Sequence, residues 1–185
     1  MAAKIVGAHD GKLGFLGTIG VRFMMDGKEA DGRFSLVEHP MSPRALAAPL
    51  HRHTREDEYS YVVRGRLGAL LGDEVVFASP GDFVFKPRHQ WHSFWNACDE
   101  PTSIIEIISP GGFEHFFHEL SDRGGVTALP TAALDELCGR YGLEMKLDSV
   151  PDLLQRFGLR FPGEPLPLSA GNAESILTMH QTIEV

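Results

Sequence analysis

His51 and His53 stand one residue apart, Glu58 follows five positions later, and His92 comes some forty residues on. In a β-strand the side chains at i and i+2 share a face, so the two imidazoles project together. Neutral imidazole and carboxylate are donors for divalent transition metals. A centre built from them can act as a Lewis acid, a template or an oxygen-activating site.

The longer spacing is more specific than any pair. The first cluster reads His-x-His-x4-Glu-x6-Gly from His51 to Gly65, and the second Gly-x5-Pro-x4-His-x3-Asn from Gly81 through Pro87 and His92 to Asn96. Together they resemble the two sequence motifs of the cupin superfamily, over about residues 14–110, the length of one cupin barrel. One position departs: His89 stands where the motif usually has glycine. Glycine is favoured where φ is positive, and histidine tolerates that region better than a β-branched residue does. The resemblance implies that His51, His53, Glu58 and His92 bind one divalent metal (Fe, Mn, Ni, Cu, Co or Zn), leaving one or two coordination places open.

Within that superfamily the chain is similar to the quercetin dioxygenase-like group, including the segment Arg33-Phe34-Ser35-Leu36-Val37-Glu38 before the first motif and an extension after the barrel. That likeness implies an oxygenase acting on a small enol, flavonol or diketone-like substrate, with dioxygen as co-substrate and Glu58 as ligand and base. Cupins also host isomerases, lyases, epimerases and non-catalytic binders, and those alternatives stand beside it.

Three acidic residues compete for the ligand position. Only Glu58 lies seven positions before Gly65, as the motif requires. Alternation then puts Glu58, Ser60 and Val62 on one face and Tyr59 and Tyr61 on the other, with Glu56 and Asp57 left in a solvated turn. Phe94 shares the parity of His92 and Asn96 and is expected to line the pocket. For Phe83, Phe85, Trp91 and Trp95 the core is the expectation. His115 and His118 read as a solvated helix surface, and nothing in the spacing of His39 singles it out.

The elements that must hold these residues read as an all-β fold. Short apolar runs separated by turn signals, among them Thr18–Met25, Arg33–Glu38, Tyr59–Val63, Leu67–Leu71 and Ser103–Ile108, indicate an antiparallel sandwich or barrel of jelly-roll type. After Pro110 the period changes. Phe113, Phe116, Phe117 and Leu120 have helical spacing, Thr131 is an expected N-cap for a second helix, and Asp148 or Ser149 for a third. The expected division is a barrel over residues 1–110, a mainly helical extension over 111–161 and an extended or mobile tail over 162–185.

A net charge of −8 over 185 residues argues against nucleic acid as a partner. No apolar run reaches the length of a membrane span, and the N-terminus lacks a secretory pattern. Two cysteines are too few for a disulfide scaffold, so the cytoplasm is the expected compartment. The expected partners are a small-molecule substrate and a second copy of the chain, because a small barrel must protect its strand edges.

Overall fold

The computed structural model describes residues 5–162. The expectation for the tail therefore falls, from residue 163 onward, outside the described residues. Ten strands precede the helices: β1 (Leu13–Phe15), β2 (Gly20–Met25), β3 (Ser35–Met41), β4 (Leu50–His53), β5 (Asp57–Arg64), β6 (Leu67–Leu71), β7 (Glu74–Ala78), β8 (Phe83–Lys86), β9 (His92–Asn96) and β10 (Thr102–Ser109). Then come α1 (Glu114–Asp122), α2 (Thr131–Arg140), an eleventh strand β11 (Leu143–Lys146) and α3 (Val150–Phe157). Every pairing between these strands is antiparallel. They form a six-stranded sheet ordered β1-β2-β3-β10-β5-β8 and a five-stranded sheet ordered β11-β4-β9-β6-β7. This is the expected all-β barrel with a short helical region after it.

Period-two alternation decides what enters the barrel. On β3, Ser35, Val37, His39 and Met41 are buried and their neighbours half-buried, and on β5 Glu58, Ser60 and Val62 point inward. The interior core joins Val37, Met41, Val62, Val84, Phe94, Ile104 and Ile108 to Phe113, Phe116, Phe117 and Leu120 of the following segment, so α1 roofs the barrel with its apolar stripe. Trp95, of opposite parity to Phe94, faces outward and stacks on Phe157 of α3 at 4.2 Å, where Leu46, Leu70, Leu153 and Leu159 make a second core.

Both motif glycines have a structural reason. Gly65 has φ of +77°, and a Cβ there would run into Thr102; Gly81 has φ of +95°. His89, in place of the usual glycine, adopts the same left-handed region with φ of +68°, and its N–H donates to the His53 carbonyl at 2.7 Å.

The extension departs from the sequence reading in two places. Leu143–Lys146, assigned no element from sequence, pairs along the whole of β4 in the register Leu143↔His53 to Lys146↔Leu50. Thr131 is the first residue of α2 rather than its N-cap, which is Pro130. Ser149 is the N-cap residue of α3, one of the two expected, and its hydroxyl donates to the Lys146 carbonyl and accepts from Leu50 N–H, so it ties the extension to β4 and makes no side-chain bond to the helix.

The surface also corrects the sequence reading. Phe83 and Phe85 are 62% and 50% exposed, because on β8 it is Val84 and Lys86 that turn inward. Trp91 is half-buried under the cations of Arg52 and Lys146. His115 is exposed, while His118 stacks on Phe23 at 3.5 Å. Their neighbour Glu114 is buried and accepts from the Gly27 and Gly112 N–H groups.

Candidate metal centre

β4 lies beside β9, with His51 directly opposite His92, and His53 comes one pleat further along β4. Glu58 belongs to the other sheet, so the group spans the barrel interior. One ligand atom from each of His51, His53, Glu58 and His92 lies within 4.8 Å of the others, and all four residues are buried. His53 Nε2 is 3.4 Å from Glu58 Oε1, and His92 Nε2 is 3.4 Å from Glu58 Oε2. Donors about 2.1 Å from one ion at a tetrahedral angle are separated by about 3.4 Å, so the spacing suits a transition metal.

The tautomers agree with that use. His51 Nδ1 lies 2.8 Å from the Pro49 carbonyl and His92 Nδ1 lies 3.0 Å from the Gln90 carbonyl. A carbonyl only accepts, so each Nδ1 carries the proton and each Nε2 turns a lone pair to the centre. Glu56, expected in solvent, is instead buried with Oε2 3.6 Å from His53 Nδ1, too far for a hydrogen bond but placed to orient that ring. Asp57 begins β5 and is held by the Arg88 guanidinium at 2.8 Å.

The electrostatics favour a cation at this point. His53 Nε2, His92 Nε2 and Glu58 Oε2 are buried and have no hydrogen-bond partner among the described residues. Lone pairs concentrated in this way are costly unless something electropositive satisfies them. Burial, and then the neighbouring imidazoles His92 and His53, hold His51 well below the usual histidine range; burial also lowers His92. Burial alone would raise Glu58, but the Lys86 ammonium and the His53 and His92 rings hold it well below the usual carboxylate range. Neutral His51 and His92 beside an ionised Glu58 are ionisation states that metal binding needs. The buried group of three histidines and one glutamate fits a cupin metal site.

Behind Glu58 lies a buried network that the sequence reading missed. Lys86, directly across from Glu58 in the β5–β8 register, is 1% exposed. Its Nζ donates to Glu106 Oε2 at 2.8 Å and lies 3.0 Å from Glu58 Oε2, without hydrogen-bond geometry to the latter. Ser60 donates to Glu106 at 2.9 Å, and the Lys86 ammonium sits 4.3 Å over the Phe94 ring. Burial would lower the Lys86 pKa, but the Glu106 and Glu58 carboxylates raise it, so the side chain stays charged. Burial, with the nearby charge of Glu58, pushes Glu106 up to about 7 in spite of Lys86. The available signal was the alternation Phe83-Val84-Phe85-Lys86, legible only once the phenylalanines are placed outside.

The group opens on a cavity of about 60 Å³. Its wall includes Leu16, Ile19, Ala47, Phe94, Phe113, Phe116, Phe117, Leu134 and Met145, with His39 and Glu106 among the few polar members. Phe94 takes the place expected for it. Phe113 meets the His53 ring edge to face at 4.3 Å, so the roof packs directly on a candidate ligand.

Residues 38–108 match the cupin domain family. Quercetin 2,3-dioxygenase from Bacillus subtilis is 30% identical over 97 residues, which are 51% of this chain and 28% of that protein. The chain thus spans less than a third of the length of that relative. KdgF from a Halomonas species superposes with a TM-score of 0.53 at 22% identity, covering 62% of this chain and 99% of its own. An RmlC-like cupin from Shewanella frigidimarina gives 0.51 at 18%, covering 62% and 96%. These structures share the barrel, and at such identities they speak for the fold alone. With the motif histidines and Glu58 converging inside that barrel and the domain match running from β3 to β10, residues 38–108 are a cupin domain.

Proposed function

We propose that this protein is a metal-dependent oxygenase of a small enol or diketone, with His51, His53, Glu58 and His92 as the ligands of one divalent transition metal. The observation that carries this reading is the setting of this buried quartet, of which His51, His53 and Glu58 face a cavity walled mainly by aliphatic and phenyl groups. Such a wall suits an apolar molecule better than a sugar. Size narrows the class further. A cavity of about 150 Å³ accommodates benzene, so one of about 60 Å³ admits even a compact enol only as the α1 roof gives way, and a flavonol would need a much larger opening.

A bound divalent metal would supply Lewis-acid polarisation of an enol oxygen and, if redox-active, a route for dioxygen. The chain's own contribution is positional. Phe113, Phe116 and Phe117 keep bulk water from the chamber, and Phe94 forms its floor over Lys86. Glu58 is the candidate base, receiving the enol proton on a carboxylate oxygen while Lys86 steadies Oε2. Glu58→Gln is expected to keep substrate binding while losing at least about 100-fold in rate, the usual scale of a general base. Oxygen uptake over a panel of small diketones and flavonols, with protein reconstituted separately with Fe, Mn, Ni and Cu, tests the activity. An undiminished rate in Glu58→Gln would remove the base role.

One observation favours a second reading, a metal-dependent isomerase or lyase. His39 and Glu106 put polar groups in the wall, with Lys86 behind them. Turnover of any substrate at full rate under nitrogen would decide for it.

The same proposal includes a homodimer and a cytoplasmic setting, the latter supported by free Cys98 and Cys138. β8 is the outer strand of its sheet, and Phe83 and Phe85 stand beside Tyr61 and Tyr59 with ring centroids 4.9 Å apart in each pair. Val63 is also exposed on the neighbouring strand β5. This uncharged patch, in a chain of net charge −8, suits a second copy because like charges need not meet. Light scattering is expected to give twice the chain mass for the wild type and one chain mass for Phe83→Lys/Phe85→Lys. A wild-type monomer at micromolar concentration would refute the dimer.

A further inference from the structure

His39 has no part in the metal group, yet it lies in the same chamber. It sits at an inward position of β3, 1% exposed, and lines the cavity together with His51, His53 and Glu58. Its Nδ1 lies 2.9 Å from the Gly20 carbonyl. Because a carbonyl can only accept, Nδ1 bears the proton and Nε2 is left with a lone pair. Among the described residues Nε2 has no hydrogen-bond partner. The ring is fixed edge-on against Phe117, with centroids 5.1 Å apart.

The other polar wall groups are already engaged. Thr18 donates its hydroxyl to the Ala47 carbonyl at 2.7 Å, and Glu106 is held by Ser60 and Lys86. A fixed acceptor in an otherwise apolar wall is suited to a donor carried by the ligand.

We propose that His39 is a specificity-determining residue, accepting at Nε2 a hydrogen bond from a hydroxyl group of the substrate. The substrate class is then narrower than a simple diketone: a compact enol or dicarbonyl with a further free hydroxyl, one oxygen facing the metal-ligand quartet and the hydroxyl facing β3. Burial pushes His39 down to about 4, so the ring is neutral and able to accept throughout the physiological range. A site built for a hydroxyl discriminates strongly against an analogue that cannot donate, because the buried acceptor is left unpaired.

This inference rests on the reading of the cavity as the substrate chamber, and calorimetry on Mn(II)-reconstituted protein separates the two. The probes are pentane-2,4-dione, its 1-hydroxy derivative and the 1-methoxy ether. Wild type is expected to bind the hydroxy compound at least tenfold more tightly than the ether. His39→Phe should bind those two within twofold of each other while keeping its affinity for pentane-2,4-dione. His39→Asn, which retains an acceptor oxygen, should recover part of the preference and guards against misfolding of the phenylalanine variant. Equal binding of hydroxy compound and ether by the wild type, or an undiminished preference in a folded His39→Phe, would overturn the role of His39 alone. Absence of binding of all three by the wild type would overturn the substrate chamber and the His39 role together.

Discussion

His92→Ala is expected to reduce metal content from one equivalent to none after passage through a chelating buffer, and His51→Ala to do the same. Each removes one of four donors whose ligand atoms lie within 4.8 Å of one another. Loss even of an outer partner of a ligand weakens metal sites by about 10- to 100-fold, so loss of a ligand itself should exceed about 100-fold. The metal-free fold should survive. His92 Nε2 makes no hydrogen bond among the described residues, so truncation deletes an unsatisfied atom rather than a hydrogen bond made by that nitrogen. Metal analysis, competition with a chromophoric chelator and circular dichroism together read the outcome. Full metal content in either variant would exclude that residue as a ligand.

Lys86→Met is expected to destabilise the metal-free protein by about 3–5 kcal/mol, the scale for breaking a buried ion pair from one side. Methionine matches the length of the stem but leaves Glu58 and Glu106 facing each other without the ammonium 3.0 and 2.8 Å from their oxygens. Glu106, pushed up to about 7 beside Lys86, would then take up a proton more readily still. Chemical denaturation at neutral pH measures the loss. A change below about 1 kcal/mol would mean that the network is not a stabilising pair but a replaceable filling. Lys86→Met/Glu106→Leu, which removes both partners, should recover part of the stability.

The metal quartet was legible because its information is local and periodic. His51 and His53 share a strand face, the spacing to Gly65 selects Glu58 over Glu56 and Asp57, and the second motif supplies His92. The antiparallel barrel was legible for a similar reason, from alternation and turn residues. Lys86 and Glu106 were not, since each is a charged residue on the buried face of a strand, where burial is tolerated only with a partner supplied by another strand. Reading Phe83 and Phe85 as core placed β8 with the wrong side inward. β11 escaped because Leu143–Lys146 is four residues long and follows a helix, although Leu-Glu-Met-Lys does alternate. His39 was visible only as a residue at a strand end; its engaged Nδ1 and free Nε2 arise from a Gly20 carbonyl on the adjacent strand.

The pairing of β11 with β4 sets an order of events during synthesis. β4 carries His51 and His53, yet among the described residues the strand on its outer edge is Leu143–Lys146, and Thr54 N–H donates to the Gly142 carbonyl at 2.9 Å. All four donors have been translated once His92 is made, whereas both the roof of α1 and the covering strand come later in the chain. The barrel strands are complete with β10, which joins β3 to β5, and at about 5–20 residues per second the ribosome needs a few seconds to pass from β10 to β11. During that interval the nascent barrel has its imidazoles and carboxylate but neither lid nor finished sheet. A metal entering in that interval is expected to meet neither barrier. Release of the metal from the mature protein must work against Phe113 packed on His53. A chain cut after residue 110 would stay in the nascent condition permanently, with the strand bearing two donors as an open edge.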